Sequence, residues 1–474
     1  MATRKDQLQS HQFSVQRMIS ALVTRESDPE HPPFKRPLAA AFGGVAIMVV
    51  ALAVAGVYGL IVPGGSKAWA GGDVVVVEKE TGTRFVYVAG HLHPVTNYTS
   101  ALLAVGKYGD VRRVSRRSLA DVPRGPLIGI KDAPDALPDR KRLLTGGWTL
   151  CSEPDLDVAG AAASESVLMV GSRPAQDEAM QDRAMLVQVL GSGSKYLIWK
   201  GYRHQLQTAN VVTQGLALGS QPWAQVGEAF VAALPDGEPI APIRIAGIGR
   251  PSTAVEGRPK TKIGQLFVVT TSSGARQYYL ATKDYLTPIS ALQYDVQRAY
   301  RPTAAAYGGK APQAIAIDLV NLGRAGTSAV QATDGQAPLT MPELVAPHNG
   351  QGAVCATYQP GATVPEVTVD GAMPARDDAA VTVKRGRLGT ALADRILVEP
   401  GTAAVVESMS SDQAQVGTVA VITDLGRAYP LADPKLLEIL GYSGVVPIRI
   451  PAQLVARIPQ GSGLDPAAAV RPVA

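Results

Sequence analysis

Gly191-Ser192-Gly193-Ser194-Lys195 is the nearest approach in this sequence to a phosphate-binding loop, since small residues before a lysine let backbone N–H groups wrap a phosphate. The complete pattern, G-x-x-x-x-G-K-[S/T] opening a helix, does not occur. The five residues instead separate two apolar runs, MLVQVL and KYLIW, where Gly and Ser are ordinary hairpin chemistry. A turn is therefore expected, with no nucleotide role for Lys195. His91 and His93 would share one face of a strand and could ligate a metal, but no further His, Cys or Asp is spaced to complete the set. Three related stretches carry Tyr202 and His204, Tyr285 and Thr287, or Arg427 and Tyr429 in the same columns, which predicts packing positions instead. The hydrolase elbow G-x-S-x-G is imitated only by Gly191-Ser192-Gly193 and lacks partners. No catalytic, cofactor-binding or metal-binding residue is assigned. What remains is a pair of cysteines, Cys151 and Cys355, most simply one disulfide in an oxidising compartment.

Whether the compartment is oxidising depends on residues 38–62, which contain no charged side chain. About twenty apolar residues cross a bilayer core, so this run can span one. Ala68-Trp69-Ala70 imitates a signal-peptidase site, but the apolar run is too long and the 37 preceding residues too many for a cleaved signal, which favours an uncleaved anchor. Arg25, Lys35 and Arg36 precede the run and Lys67 alone follows it closely, which places residues 1–37 in the cytoplasm and the rest outside. Tyr58 and Trp69 suit the outer interface. Ala51, Ala55 and Gly59 recur at i, i+4, i+8, either as a stripe against another membrane helix or as the small residues common to any such helix. Ahead of the span, Leu8, Val15, Ile19 and Leu22 predict an amphipathic helix over 7–24 that docks on a partner or on the inner leaflet.

The net charge of +5 includes +2 from residues 1–37, leaving +3 over the outer part, too even for a nucleic-acid binder. With 48 Gly, 35 Pro and few aromatics, short strands and turns are expected there. Internal repetition is the main signal. RFVYVAGHLHPVT (84–96), KYLIWKGYRHQLQ (195–207), RQYYLATKDYLTPIS (276–290) and ITDLGRAYPLA (422–432) each suggest a hairpin, anchored at Pro94, Gln205, Pro288 and Pro430 and followed by a short helix. Copies two and four both lead into an L/I-P-x-G-x-x-I/L-x-P frame, at 234–242 and 458–466. One cysteine separates copies one and two, the other copies three and four. The pattern predicts two halves about a pseudo-two-fold axis where the cysteines meet, against chance likeness among Gly/Pro-rich strands.

HQFSVQRMISALVTRE (11–26), TGTRFVYVAGHLHPVTNYTSALLA (81–104), RGPLIGI (124–130), WTLCSEP (148–154), AVCATY (353–358), ITDLGRAYPLAD (422–433) and the tail with IPQGSGLDPAAA together resemble the EccB family, the membrane-anchored component B of the actinobacterial type VII (ESX) secretion system. The resemblance covers essentially the whole chain. It implies an inner-membrane complex with an FtsK-like motor ATPase, EccC, and channel subunits, EccD, sometimes with EccE and a mycosin protease, and an oligomeric state within that complex. It also implies four repeat modules around a disulfide-stapled central domain. Family members have been credited with ATP hydrolysis, so ATP is the one ligand the resemblance raises.

The expected architecture is a single-span membrane protein with an elongated, β-rich α+β extracytoplasmic region: a cytoplasmic helix (1–37), the span (38–62), module 1 (72–130), a first central half (131–183), module 2 (184–262), module 3 (263–310), a second central half (311–415) and module 4 (416–474). The expected role is a structural subunit linking the membrane channel to its outer side; the alternatives are an extracytoplasmic ATPase and a wall-binding repeat protein. Gln205, where the other copies have proline, suggests that module 2 leaves its strand differently.

Overall fold

The computed structural model describes residues 3–23, 25, 35–61, 68–157, 159–323, 325, 335–350, 352–375, 381–411 and 413–473. Two helices come first, α1 (Arg4–Val23) and α2 (Lys35–Ile61). Ala39–Tyr58 within α2 is the one helical stretch among the described residues long and apolar enough to cross a membrane, and none of it is buried. Residues 24, 26–34 and 62–67, which include the last residue of the expected helix over 7–24 and of the expected span over 38–62, lie outside the described residues.

Module 1 opens with the antiparallel strands β1 (Val75–Glu78), β2 (Arg84–Val88) and β3 (His91–Pro94). Helix α3 (Tyr98–Val105) follows; the Asn97 side chain accepts from Ser100 N–H at its start, and Gly106 ends it at φ 79°, a left-handed turn that glycine makes without a Cβ penalty. The helix carries the chain to the far edge, where β4 (Val111–Val114) runs parallel to β1, and α4 (Arg116–Leu119) follows. The sheet order is β3-β2-β1-β4.

The first central segment supplies β5 (Trp148–Leu156), β6 (Ala162–Met169) and β7 (Glu178–Ala179). Module 2 repeats the plan of module 1 with β8 (Ala184–Val189), β9 (Lys195–Trp199), β10 (Tyr202–Gln205), α5 (Ala209–Gly215), β11 (Ala224–Val226) and α6 (Glu228–Ala233). Module 3 does so with β12 (Leu266–Thr270), β13 (Arg276–Ala281), β14 (Leu286–Ile289), α7 (Ala291–Ala299), β15 (Ile315–Ala316) and α8 (Leu319–Gly323). The second central segment supplies β16 (Val354–Tyr358), β17 (Glu366–Val369) and β18 (Arg395–Leu397). Module 4 comprises β19 (Ala403–Met409), β20 (Thr418–Thr423), β21 (Ala428–Pro430), α9 (Leu436–Ile439), β22 (Ile448–Pro451) and α10 (Ala452–Val455), with α11 (Pro466–Ala469) behind. All four module sheets have the same order and the same parallel return strand. Each repeat is thus a meander plus a crossover, two strands more than a helix-capped hairpin.

The fourth sheet starts at Ala403, ahead of residue 416, because β20 needs β19 as its antiparallel partner (Ala403↔Thr423 to Ser408↔Thr418). The third extends to Ala316, past residue 310, because the return strand closes only there.

The modules pack in pairs. Leu103 of module 1 shares a core with Leu437 and Ala469, while Val212 of module 2 shares one with Leu292 and Val296 of module 3. Where α5 meets α7, a Cβ on Gly215 would stand 2.8 Å from the Asp295 carbonyl oxygen, so only glycine permits the approach. Near the C-terminus, Gly129 N–H donates to Arg471 O (3.2 Å) and Val473 N–H to Leu127 O (2.9 Å), which lays this stretch along module 1.

Candidate functional site

The central sheet has the order β18-β6-β5-β16-β17-β7. Its middle pair is antiparallel with Cys355 directly opposite Cys151, and the two are joined as a disulfide. Both are fully buried, and Thr149 and Thr357 hydrogen-bond across the same pair at 2.9 Å. The other face carries Trp148, Leu150, Ala356 and Tyr358 into a core continuous with modules 2 and 4; Tyr358 donates its hydroxyl to Ala233 O at 2.6 Å. Burial raises the Tyr358 phenol well above its ordinary range, so it stays a donor.

The two halves are interleaved. β7, just before module 2, pairs with β17 of the second half, and β18, just before module 4, pairs with β6 of the first. Leu144 N–H donates to Ala403 O and Val345 N–H to Ala184 O, both at 2.8 Å, so the approach to each cysteine strand pairs with the first residue of the other half's module. Arg395, 1% exposed, ties β18 in, with Nε 3.2 Å from Glu165 and Nη2 3.8 Å from Glu153.

A strap seals the outer edge of three modules. In module 2, Arg203 N–H donates to Pro235 O, Gly237 N–H to Arg203 O and Ile240 N–H to Gln205 O. Module 4 repeats this with Pro459, Gly461 and Leu464, and module 1 with Pro123, Gly125 and Ile128. The P-x-G-x-x-I/L frame therefore occurs three times, and the copy at 123–128 escaped sequence comparison because Arg124, Pro126 and Leu127 differ in chemistry from their counterparts. Gln205 leaves its strand as the prolines do, contrary to expectation, since the position uses only its carbonyl toward the strap, which proline and glutamine both possess. Among the described residues no bridge covers the corresponding edge of β14.

The other candidates fall into this frame. His93 and His204 pack their rings over the strap glycines, and Tyr429 does the same over Gly461. His91 Nδ1 lies 3.1 Å from Ala89 O and His93 Nδ1 3.1 Å from Pro126 O. Groups of three or more potential metal ligands do not occur among the described residues. Gly191–Ser194 is the β8–β9 turn and Lys195 opens a strand, its ammonium 4.5 Å above the Trp223 ring beside a cavity of about 480 Å³. Trp69 is not an interface anchor: it is 1% exposed, and its indole donates to Ser118 Oγ at 3.1 Å. The sequence type is the same for both roles, and the apolar pocket of Val76, Phe85 and Leu92 decides between them. Ala51 and Ala55 are exposed on α2, which also contains Gly59.

A cavity of about 800 Å³ lies between module 4 and the hairpin of residues 381–392. Arg385, Arg387 and Arg427 line it beside Leu392, Val455 and Ile458. Arg385 pairs with Glu228 at 2.6 Å, and Arg427 lies 3.9 Å from Asp132. Burial works to raise the Asp132 carboxyl, but the hydrogen bonds from Ser462 and the Arg427 charge hold it below its ordinary value.

The family described as Type VII secretion system ESX-1, transport TM domain B, matches residues 1–472. ESX-2 secretion system ATPase EccB2 of Mycobacterium tuberculosis is 28% identical over 330 residues, 67% of this chain and 62% of that protein. ESX-3 secretion system ATPase EccB3 of Mycolicibacterium smegmatis is 24% identical over 484 residues, 97% and 89% of the two chains. The aligned part thus spans about six-tenths of the first relative's length and nearly nine-tenths of the second's. Among solved structures, the EccB3 dimer from the ESX-3 core complex matches with a TM-score of 0.60 at 23% identity, covering 84% of this chain and 99% of that one. A chain of the intact ESX-5 inner membrane complex matches with a TM-score of 0.61 at 21% identity, covering 100% and 96%.

Proposed function

The chain belongs to the EccB family of type VII (ESX) secretion systems, and from that premise we propose that it is a structural subunit of an inner-membrane export complex. Residues 1–37 lie in the cytoplasm, α2 crosses the membrane, and the modules stand outside, joining the channel to the wall side. The observation that carries this reading is the interleaved, cysteine-stapled sheet, which makes modules 2 and 4 and the central strands one body on a single apolar helix. Such a body transmits position; it needs no reaction of its own.

The two halves are related by a pseudo-two-fold axis through the Cys151–Cys355 pair. The exchanged strands and the matching bonds at Ala184 and Ala403 support this, as does the pairing of module 1 with 4 and of 2 with 3, which that axis would interchange. The sheet edges depart from it, since β18 runs parallel to β6 while β7 runs antiparallel to β17. Module boundaries follow the expected ones, moved to 403 for module 4 and 316 for module 3. Partners are an EccC-type motor ATPase and EccD-type channel subunits, with Ala51, Ala55 and Gly59 as the packing stripe. Mild detergent extraction and capture of the full chain should recover both, and Ala51→Leu with Ala55→Leu should weaken recovery. Recovery of the chain alone would overturn the reading.

The relatives' printed names favour a second reading, an ATPase. ATP hydrolysis by the purified chain that Lys195→Ala abolishes would replace the structural role with it.

A further inference from the structure

Net charge is nearly balanced over the outer region, yet residues 107–124 hold six basic side chains against two acidic ones, a surplus of four that exceeds the +3 of the whole outer part. Lys107 is bound to Asp73 (2.6 Å) and Arg116 to Glu78 (2.8 Å), while Glu80 accepts from Arg116 N–H and Arg124 lies 4.4 Å over Phe85. Arg112, Arg113 and Arg117 are exposed and make no ion pair among the described residues. They stand on β4 and α4, at the sheet edge that no further strand covers among the described residues.

This edge is also where the chain enters module 1. Trp69, the second residue described after α2, is buried and bound to Ser118, the residue after Arg117. From Ile61 to Ala68 there are seven residue steps, which reach at most about 25 Å when fully extended. The entry point, and the arginines beside it, are thus confined to the vicinity of the membrane surface. We propose that the Arg112-Arg113-Arg117 edge of module 1 docks on anionic lipid headgroups of the outer leaflet, fixing the tilt of the outer region over its own anchor. The proposal rests on the reading of α2 as a span. Attraction of arginine to an anionic surface falls off within a Debye length, about 10 Å at 0.1 M salt, so docking requires the short tether and disappears at high salt.

The test is hydrogen exchange on the full chain in lipid discs, zwitterionic or with about a third anionic phosphatidylglycerol. Peptides over 107–124 should exchange several-fold more slowly in anionic discs, and 0.5 M salt or Arg112→Gln/Arg113→Gln/Arg117→Gln should erase the difference; these substitutions leave the Arg116–Glu78 pair intact. Residues 39–58 report separately on the span. Protection there with unchanged exchange over 107–124 would overturn the docking proposal alone. Rapid exchange through 39–58 would overturn the spanning reading and the proposal with it. Equal protection in both lipids would assign the edge to contact between copies and also overturn it.

Discussion

The His204 imidazole fills the space beside the α-carbon of Gly237, where a methyl group would come within 2.5 Å of the ring. His93 stands in the same relation to Gly125, and Tyr429 to Gly461. The strap glycine is therefore one half of a contact whose other half lies about thirty residues earlier.

Gly237→Ala should cost about 1–3 kcal/mol, because the fully buried ring cannot turn aside without losing its 2.8 Å bond from Nδ1 to Glu238 O. Faster amide exchange at Arg203 and Gly237, with melting lowered by a few degrees, is the expected result. Gly125→Ala should be milder, since His93 is only half-buried.

His204 gives module 2 a pH dependence. Burial lowers its pKa from the ordinary 6.5, outweighing the raising effects of the Glu238 carbonyl bond and charge, and Nε2 has no hydrogen-bond partner among the described residues. Below about pH 6.5 the unfolded chain therefore takes up a proton that the folded one resists. This contribution to stability is intact above pH 6.5 and is lost progressively as pH falls toward the depressed folded value. Melts at pH 7.5, 6.5 and 5.5 should show the decline in the native chain and a flatter profile in His204→Gln.

Joining positions 204 apart, the disulfide should stabilise the molecule by roughly 5 kcal/mol at most by loop-closure entropy. Cys151→Ser and Cys355→Ser should each loosen the central sheet, with the double variant no worse than either. Non-reducing peptide mapping should recover the linked pair from protein extracted under alkylation.

Arg395→Met should cost about 3 kcal/mol in denaturant unfolding, because the largely buried Glu165 would lose the guanidinium that stands 3.2 Å from it. Adding Glu165→Gln should recover part of that loss. A cost equal in both variants would mean that Arg395 acts by volume alone.

Much of this architecture is legible in local pattern. Twenty-five uncharged residues predict α2, and four strand-turn-strand copies predict the four sheets, because hairpin chemistry is short-range. The return strands were not legible: Ile315–Ala316 has two residues, and its identity as a strand depends on β12 beside it. Nor was β19, since AAVVESM is read as strand only once β20 stands opposite. Whole-chain charge concealed the arginines at 112–117, whose effect depends on local surplus and on where Trp69 is buried.

The pairing of residues 471–473 with Leu127 and Gly129 has a consequence for the order of assembly. If the outer region crosses the membrane from its N-terminal side onward, module 1 emerges first and its edge at Leu127–Gly129 stays unpaired until some 340 further residues have followed. Module 2 likewise waits for Val345 before Ala184 finds its partner. A chain interrupted anywhere before residue 471 would thus display an open edge on module 1, at the side of its sheet opposite β4.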